Sequence, residues 1–237
     1  MTKLGSLVLF GALLVPQTVF AQDRFGSAGQ FAISADRLTG VSHTSIKTEQ
    51  GEVTSTQSMT TITLFTNTLD GRTSAYSYPR LGGDYFVIDG LSIGAAFGIV
   101  HSSSSNEIEQ GNNSLETEGP SQTGFLIYPR LGYALMFQDN FGFWPRGGLT
   151  YASASSTQEA DDEDEDDSKT SQSALALSLE ALFVFSPVPH VAFTGGPTLD
   201  LGLSGSYEND PGGPAPTNEF DIKATDIGLQ LGITAFF

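Results

Sequence analysis

An all-β chain is predicted: eight antiparallel strands, wound up and down into a transmembrane β-barrel, with short periplasmic turns and long extracellular loops. Three observations carry this expectation. Segments of alternating apolar and polar residues recur along the chain, three short turn signals join them in pairs, and four long polar stretches separate the pairs. Alternation alone fits a water-soluble sandwich equally well, because either fold sorts a strand's residues onto two faces with a period of two. The asymmetry of short turns at one end and long loops at the other is the mark of a bacterial membrane barrel.

The amino-terminus comes first. Lys3 gives a positive start, Leu4 to Val15 is a short apolar run ended by Pro16, and Val19-Phe20-Ala21 offers small or apolar residues for cleavage. This reads as a signal peptide over 1–21, too short to span as a helix, with a barrel domain over 22–237. No later run of about 18 apolar residues occurs, so no spanning helix is expected. The last strand reaches Phe237, so no further periplasmic domain is expected. There is no cysteine. An exported chain without disulfides needs another form of closure, and a barrel supplies it by removing sheet edges.

Strands are expected near 24–42, 72–86, 91–103, 122–137, 141–156, 172–186 and 190–206, with the eighth ending the chain. The first is the least regular, and a bulge is expected near Arg37-Leu38. Val87-Ile88-Asp89-Gly90, Gln138-Asp139-Asn140 and Pro187-Val188-Pro189 are the turn signals. The polar stretches lie at 43–71, 106–121, 157–171 and 207–220. The run Thr60 to Phe65 resembles a ninth strand, but a ninth crossing would put every short turn outside. It reads instead as an outward extension of the first hairpin, or as a Thr-rich loop. In the last strand Ile227, Leu229, Leu231, Ile233, Ala235 and Phe237 form one face. Asp226, Gly228, Gln230, Gly232, Thr234 and Phe236 form the other.

An internal echo fixes the register. Tyr78-Pro79-Arg80-Leu81-Gly82 recurs as Tyr128-Pro129-Arg130-Leu131-Gly132, and more loosely as Trp144-Pro145-Arg146-Gly147-Gly148. Each copy puts Pro toward lipid and Arg toward the lumen. Gly196-Pro197-Thr198 adds a fourth outward Pro. A strand proline forfeits a ladder bond, so its repetition at one place argues for a kink in each strand.

With its signal peptide, hairpin asymmetry and terminal Phe237, the chain resembles the small OmpA/OmpX-like and opacity-type porin-family barrels over nearly all of its mature length. The resemblance implies export to the cell outer membrane of a Gram-negative bacterium. It implies that Phe237 serves as the assembly signal for the barrel assembly machinery, and that the mature protein is a monomer.

Eight strands enclose a bore that their own side chains can fill. The lumen set holds Arg80, Arg130 and Arg146 with Asp84, Glu180, Asp200 and Asp226. Gln30, Ser34, Thr150, Ser178, Thr194, Thr198 and Gln230 lie between them. Buried charges must pair, so a salt-bridged plug is expected, with a narrow charge-lined conduit as the alternative.

His101 and Ser103 share the lipid side of a strand, which resembles the nucleophile of outer-membrane lipid A deacylases, but no acidic residue stands beside His101 to orient it. His43-Thr44-Ser45 has the same spacing. The acidic run from Asp161 to Asp167 offers Asp162, Asp164 and Asp166 as weak contacts for a divalent cation. It lacks the glycine and the closing Glu of an EF-hand loop, so a solvated, self-repelling loop is the plainer expectation. The four polar stretches hold 18 of the 27 acidic residues, with Lys47 and Lys169 as their bases. A net charge of −17 argues against nucleic acid and favours cation-bridged lipopolysaccharide as a neighbour. No cofactor and no catalytic residue is expected. The predicted role is a non-enzymatic barrel contributing to envelope integrity or surface interaction.

Overall fold

The computed structural model describes residues 24–50, 53–64, 76, 78–110, 113–158, 167–213 and 216–237. The described strands are β1 (Phe31–Gln50), β2 (Val53–Leu64), β3 (Arg80–Phe86), β4 (Leu91–Gln110), β5 (Asn113–Tyr133), β6 (Leu135–Gln138), β7 (Phe141–Gln158), β8 (Ser168–Val188), β9 (Val191–Asp210) and β10 (Asn218–Phe236). Their order around the sheet is β1, β3, β4, β5, β7, β8, β9, β10, and β10 pairs back onto β1. β6 continues β5 past Ala134 and pairs β7. The ring therefore has eight antiparallel positions and closes on itself.

Closure is drawn tight at the last residue. Phe237 N–H donates to Phe31 O at 2.9 Å, and Phe31 N–H donates to Phe237 O at 3.0 Å. Both ends of the ring and the three short turns, at 87–90, 139–140 and 189–190, share one end of the barrel. Gly90 takes φ +82° in the first turn and His190 takes φ 67° in the third. His190 Nδ1 meets Phe236 O at 2.9 Å, and its ring stacks on Phe237.

The second barrel position is filled in an unexpected way. β1 pairs β3 over Phe31 to Asp36 and pairs β2 over Thr39 to Gln50. One ring position is thus shared by β2 on the outer half and β3 on the inner half. The Thr60 run belongs to β2 and extends the first hairpin. Of the strand expected over 72–86, Arg80–Phe86 is strand among the described residues, while Tyr76 and Tyr78 are buried inside the barrel. The first strand likewise starts at Phe31 and not at 24. Residues 24–30 fold under the barrel instead.

Strands of 18 to 21 residues are common here, as in β5, β7 and β8. About 9–11 residues cross a bilayer. Much of the outward polar sequence is therefore strand, carrying the wall beyond the membrane. The expected bulge is present: the β1–β10 register shifts between Ala35 and Thr39, and Arg37 has φ 55°.

The prolines mark ladder gaps. β5–β7 pairing skips from Ile127 to Arg130, across Pro129. β8–β9 pairing skips between Thr198 and Gly195, across Pro197. Proline has no N–H to give, so one neighbour loses a bond while the other ladder runs on. Gly148 faces the first gap and Gly196 lies in the second beside Pro197, where a Cβ would collide with Pro129 O and Ala181 O respectively.

The outward face of the turn-side half of the wall is apolar. Ile99 is 72% exposed, Leu229 63% and Phe137 63%, and the alternate residues of each strand follow suit. Outward aromatics gather near the turn end, with Phe141 stacked on Phe183. A closed barrel with an apolar belt and an aromatic girdle is built to span a membrane.

Candidate functional site: the filled lumen

The inward faces stack into two layers. At the turn end lies an aromatic plug. Phe25, from the segment under the barrel, meets Phe86, Trp144 and Phe236 edge-on at 5.3, 5.0 and 5.3 Å between ring centroids. Ala32, Ala134, Val184 and Ala192 complete this fully buried cluster. The segment is pinned by its backbone: Gly29 N–H donates to Phe86 O and Gly90 N–H to Gly26 O, each at 2.8 Å. Gly26 N–H donates to Gln30 Oε1 at 2.7 Å, and Arg24 Nη2 donates to Met136 O at 2.7 Å. Gly26 takes φ +89° beside the Ala134 methyl, a position that favours glycine twice over.

Above the plug runs a chain of alternating charge. Arg130 donates through Nε and Nη2 to both oxygens of Asp84, at 3.1 and 2.6 Å, and through Nη1 to Asp36 at 2.6 Å. Arg146 Nη2 reaches Asp36 at 3.1 Å and Glu180 at 2.7 Å. Arg37 Nη2 approaches Glu180 at 3.6 Å, and its two Nη atoms hold both oxygens of Asp200 at 2.8 and 3.2 Å. All seven side chains are buried. Two-pronged pairs of this kind fix orientation as well as charge.

The echoed motif builds this layer. Its aromatic, Arg and Gly all point inward, and Pro points outward or stays half-buried. Arg146 lies over the Trp144 ring at 4.5 Å, and Arg80 and Arg130 lie over Tyr128 at 5.3 and 5.6 Å. The glycine of one copy makes room for the next. A Cβ on Gly82 would collide with Arg130, and one on Gly132 would sit 2.6 Å from Trp144 Nε1. Trp144 Nε1 donates to Ser92 Oγ at 3.2 Å.

Two members expected in the ion-pair network form no ion pair among the described residues. Arg80 is buried, but its Nη2 donates to Tyr76 O at 2.6 Å and its face covers Tyr128. Tyr76, turned inward, puts its carbonyl where a carboxylate was expected. Asp226 takes a hydrogen bond from Thr44 Oγ1 on the neighbouring strand. Conversely, Asp36 and Arg37 were not expected in the network. Arg37 has the parity of a lipid-facing residue, and only the bulge swings it inward. The irregularity of the first strand was the available signal. Phe25, Tyr76 and Tyr78 were missed for a similar reason, since none of them sits on a regular strand.

Asp162, Asp164 and Asp166 lie outside the described residues, as does the segment 1–21 expected to be a signal peptide. Among the described residues no group of three or more His, Asp or Glu is placed to hold a metal. His101 is exposed and its Nδ1 meets Thr123 Oγ1 at 2.9 Å, a hydroxyl where a triad needs a carboxylate. The side chain of Ser103 lies outside the described residues. His43 Nδ1 meets Thr60 Oγ1 at 3.1 Å.

No family model matches the chain, and no curated protein matches it in sequence. Solved structures match in fold. The outer membrane protease OmpT from Escherichia coli has a TM-score of 0.50 at 8% identity, over 88% of this chain and 97% of that one. The outer membrane protein OprG from Pseudomonas aeruginosa gives 0.47 at 14%, over 89% and 97%. Ail, the attachment invasion locus protein of Yersinia pestis, gives 0.33 at 11%, over 86% and 99%. At these identities the likeness is one of fold alone.

Proposed function

We propose that this chain is a non-enzymatic, integral outer-membrane barrel of a Gram-negative bacterium, closed to solutes, that serves envelope integrity or surface interaction. The observation that carries the reading is the filled lumen. An aromatic plug seals the turn end, the ion-pair chain crosses the middle, and Tyr76 and Tyr78 enter the outer half. What remains for function is the wall and what it carries outward. The acidic residues of the four polar stretches make that outward end negative, suited to divalent ions bridging lipopolysaccharide phosphates. The terminal Phe237, tied to Phe31 at the seam, suits recognition by the assembly machinery.

Planar-bilayer recording on the refolded barrel tests closure. A silent bilayer is expected. Discrete conductance steps of reproducible size would replace this reading with that of a narrow porin. A lipid A deacylation assay is expected to give no product. Product that disappears in Ser103→Ala would make the chain a lipid-modifying enzyme.

A further inference from the structure

Among the described residues, four guanidinium groups and five carboxylates are buried in the lumen. The seven-member chain has one more carboxylate than guanidinium, and Arg80, close to Asp200 and Glu180, offsets that excess. Asp226 is left over. It is 1% exposed and makes no ion pair within 4 Å among the described residues. A buried, unmatched carboxylate is costly, and such a group is relieved by gaining a positive charge.

A cavity of about 20 Å³ lies beside it, against the seam of β1 and β10, with room for about one water. Arg37, Ser42, Asp226 and Gln230 are among its lining residues. Arg37 Nε and Gln230 Oε1 are buried without a hydrogen-bond partner, and Ser42 Oγ and Asp226 Oδ1 face each other without closing a well-formed hydrogen bond. Arg37 Nε is a donor only, while Asp226 Oδ1 and Gln230 Oε1 are acceptors while Asp226 is ionised. Sodium or potassium in the cavity would satisfy the oxygens but would face the Arg37 N–H, cation against cation. One water completes the set in either protonation state, because the Ser42 hydroxyl can donate or accept, so the unmatched buried charge decides for a proton on Asp226. The water accepts from Arg37 Nε–H and from the Asp226 hydroxyl, and it donates to Gln230 Oε1 and Ser42 Oγ.

We infer that the folded barrel binds one proton on Asp226, held with a single water in this cavity. Its surroundings keep it there. β1 contributes Arg37, Ser42 and Thr44, and β9 contributes Thr198 and Asp200. Gln230 lies on β10 itself, and Tyr76 reaches in from the segment before β3. Thr44 holds the other carboxyl oxygen, which leaves Oδ1 to carry the proton. Asp200 stands opposite Asp226 across the β9–β10 ladder. It adds a negative charge that favours the neutral acid, against the attraction of Arg37.

A folded state that holds a proton the unfolded chain has lost becomes less stable as pH rises. An unfolded aspartate loses its proton near pH 3.9. Urea unfolding of the refolded barrel, from about pH 5 to 8, is compared between wild type and Asp226→Asn, whose amide imitates the neutral acid. The wild-type unfolding constant is expected to rise about tenfold per pH unit relative to the variant while the folded acid stays neutral. The infrared spectrum of the wild-type barrel at neutral pH is expected to show a carboxylic acid C=O band, absent from Asp226→Asn. Asp226→Glu, which keeps the acid, should move that band should the Asn variant fail to fold. Parallel pH profiles, or a neutral-pH wild-type spectrum without the band, overturn the inference. So does stabilisation by sodium or potassium over choline at equal ionic strength that is lost in Asp226→Asn, because the site would then hold a metal cation.

Discussion

The two layers of the lumen are held together by different physics on the same strands. The turn-end layer is held by shape: four aromatic rings meet at their edges and small residues fill the gaps. The middle layer is held by charge: seven side chains alternate in sign from Asp84 to Asp200. Trp144 belongs to both, with Phe25 against its ring at one side and Arg146 over it at 4.5 Å. Shape tolerates replacement by another apolar group of similar volume, since the lost contacts are many and small. Charge does not, since removing one partner strands the other in a low dielectric.

The largest expected effect is Arg130→Ala, at about 3–5 kcal/mol, because Asp36 and Asp84 both lose their closest cation. The exposed Lys169→Ala should cost about 0–1 kcal/mol. Urea midpoints of the refolded proteins give the ranking, and equal midpoints would break the contrast. Arg130→Met sharpens it: the stem is kept, yet the loss should stay near that of the alanine variant.

Phe25→Ala should also be costly, at about 3–5 kcal/mol, from lost packing and the void left behind. Phe25→Leu should lose less than about 1.5 kcal/mol. A leucine variant as damaging as Arg130→Met would show that the plug depends on aromatic geometry and not on volume.

Gly132→Ala comes next, at about 1–3 kcal/mol of overpacking against Trp144 Nε1 and Ser92 Oγ. Trp144 is the single tryptophan, so its selectively excited fluorescence spectrum reports the shift. An unchanged spectrum would mean that the two layers are not joined at this ring.

Pro129→Ala should change stability by less than about 1 kcal/mol. It restores an N–H toward β7, where the ladder is interrupted. Hydrogen exchange should then find a protected amide at position 129. An amide that exchanges freely would show that the kink is set by Gly148 opposite and not by proline.

How far these layers could be read in advance differs from residue to residue. The alternate sets of β10 were legible, and so were the inward positions of Arg80, Arg130, Arg146, Glu180 and Asp200. A strand's two faces follow from the direction of each Cβ, a property local to the chain. The turns at 87–90 and 138–140 were legible for the same reason, through residues with particular backbone preferences. Arg37 was not, because a two-residue bulge with a positive φ gives a side chain a direction its parity does not predict. Phe25, Tyr76 and Tyr78 lie off the regular strands, where there is no period to read.

Partnership within the lumen was further out of reach. Arg146 and Asp36 are 110 residues apart, and Arg37 and Asp200 are 163 apart. Which of them meet depends on the number of strands in the ring, their stagger, and the depth to which a chain segment turns inward. That is why Arg80 faces a carbonyl and Asp226 a hydroxyl in place of the ion pairs their charges suggested. Period two assigns each side chain to a face from its own backbone, while contact across a closed barrel is settled only when distant strands take their places around the ring.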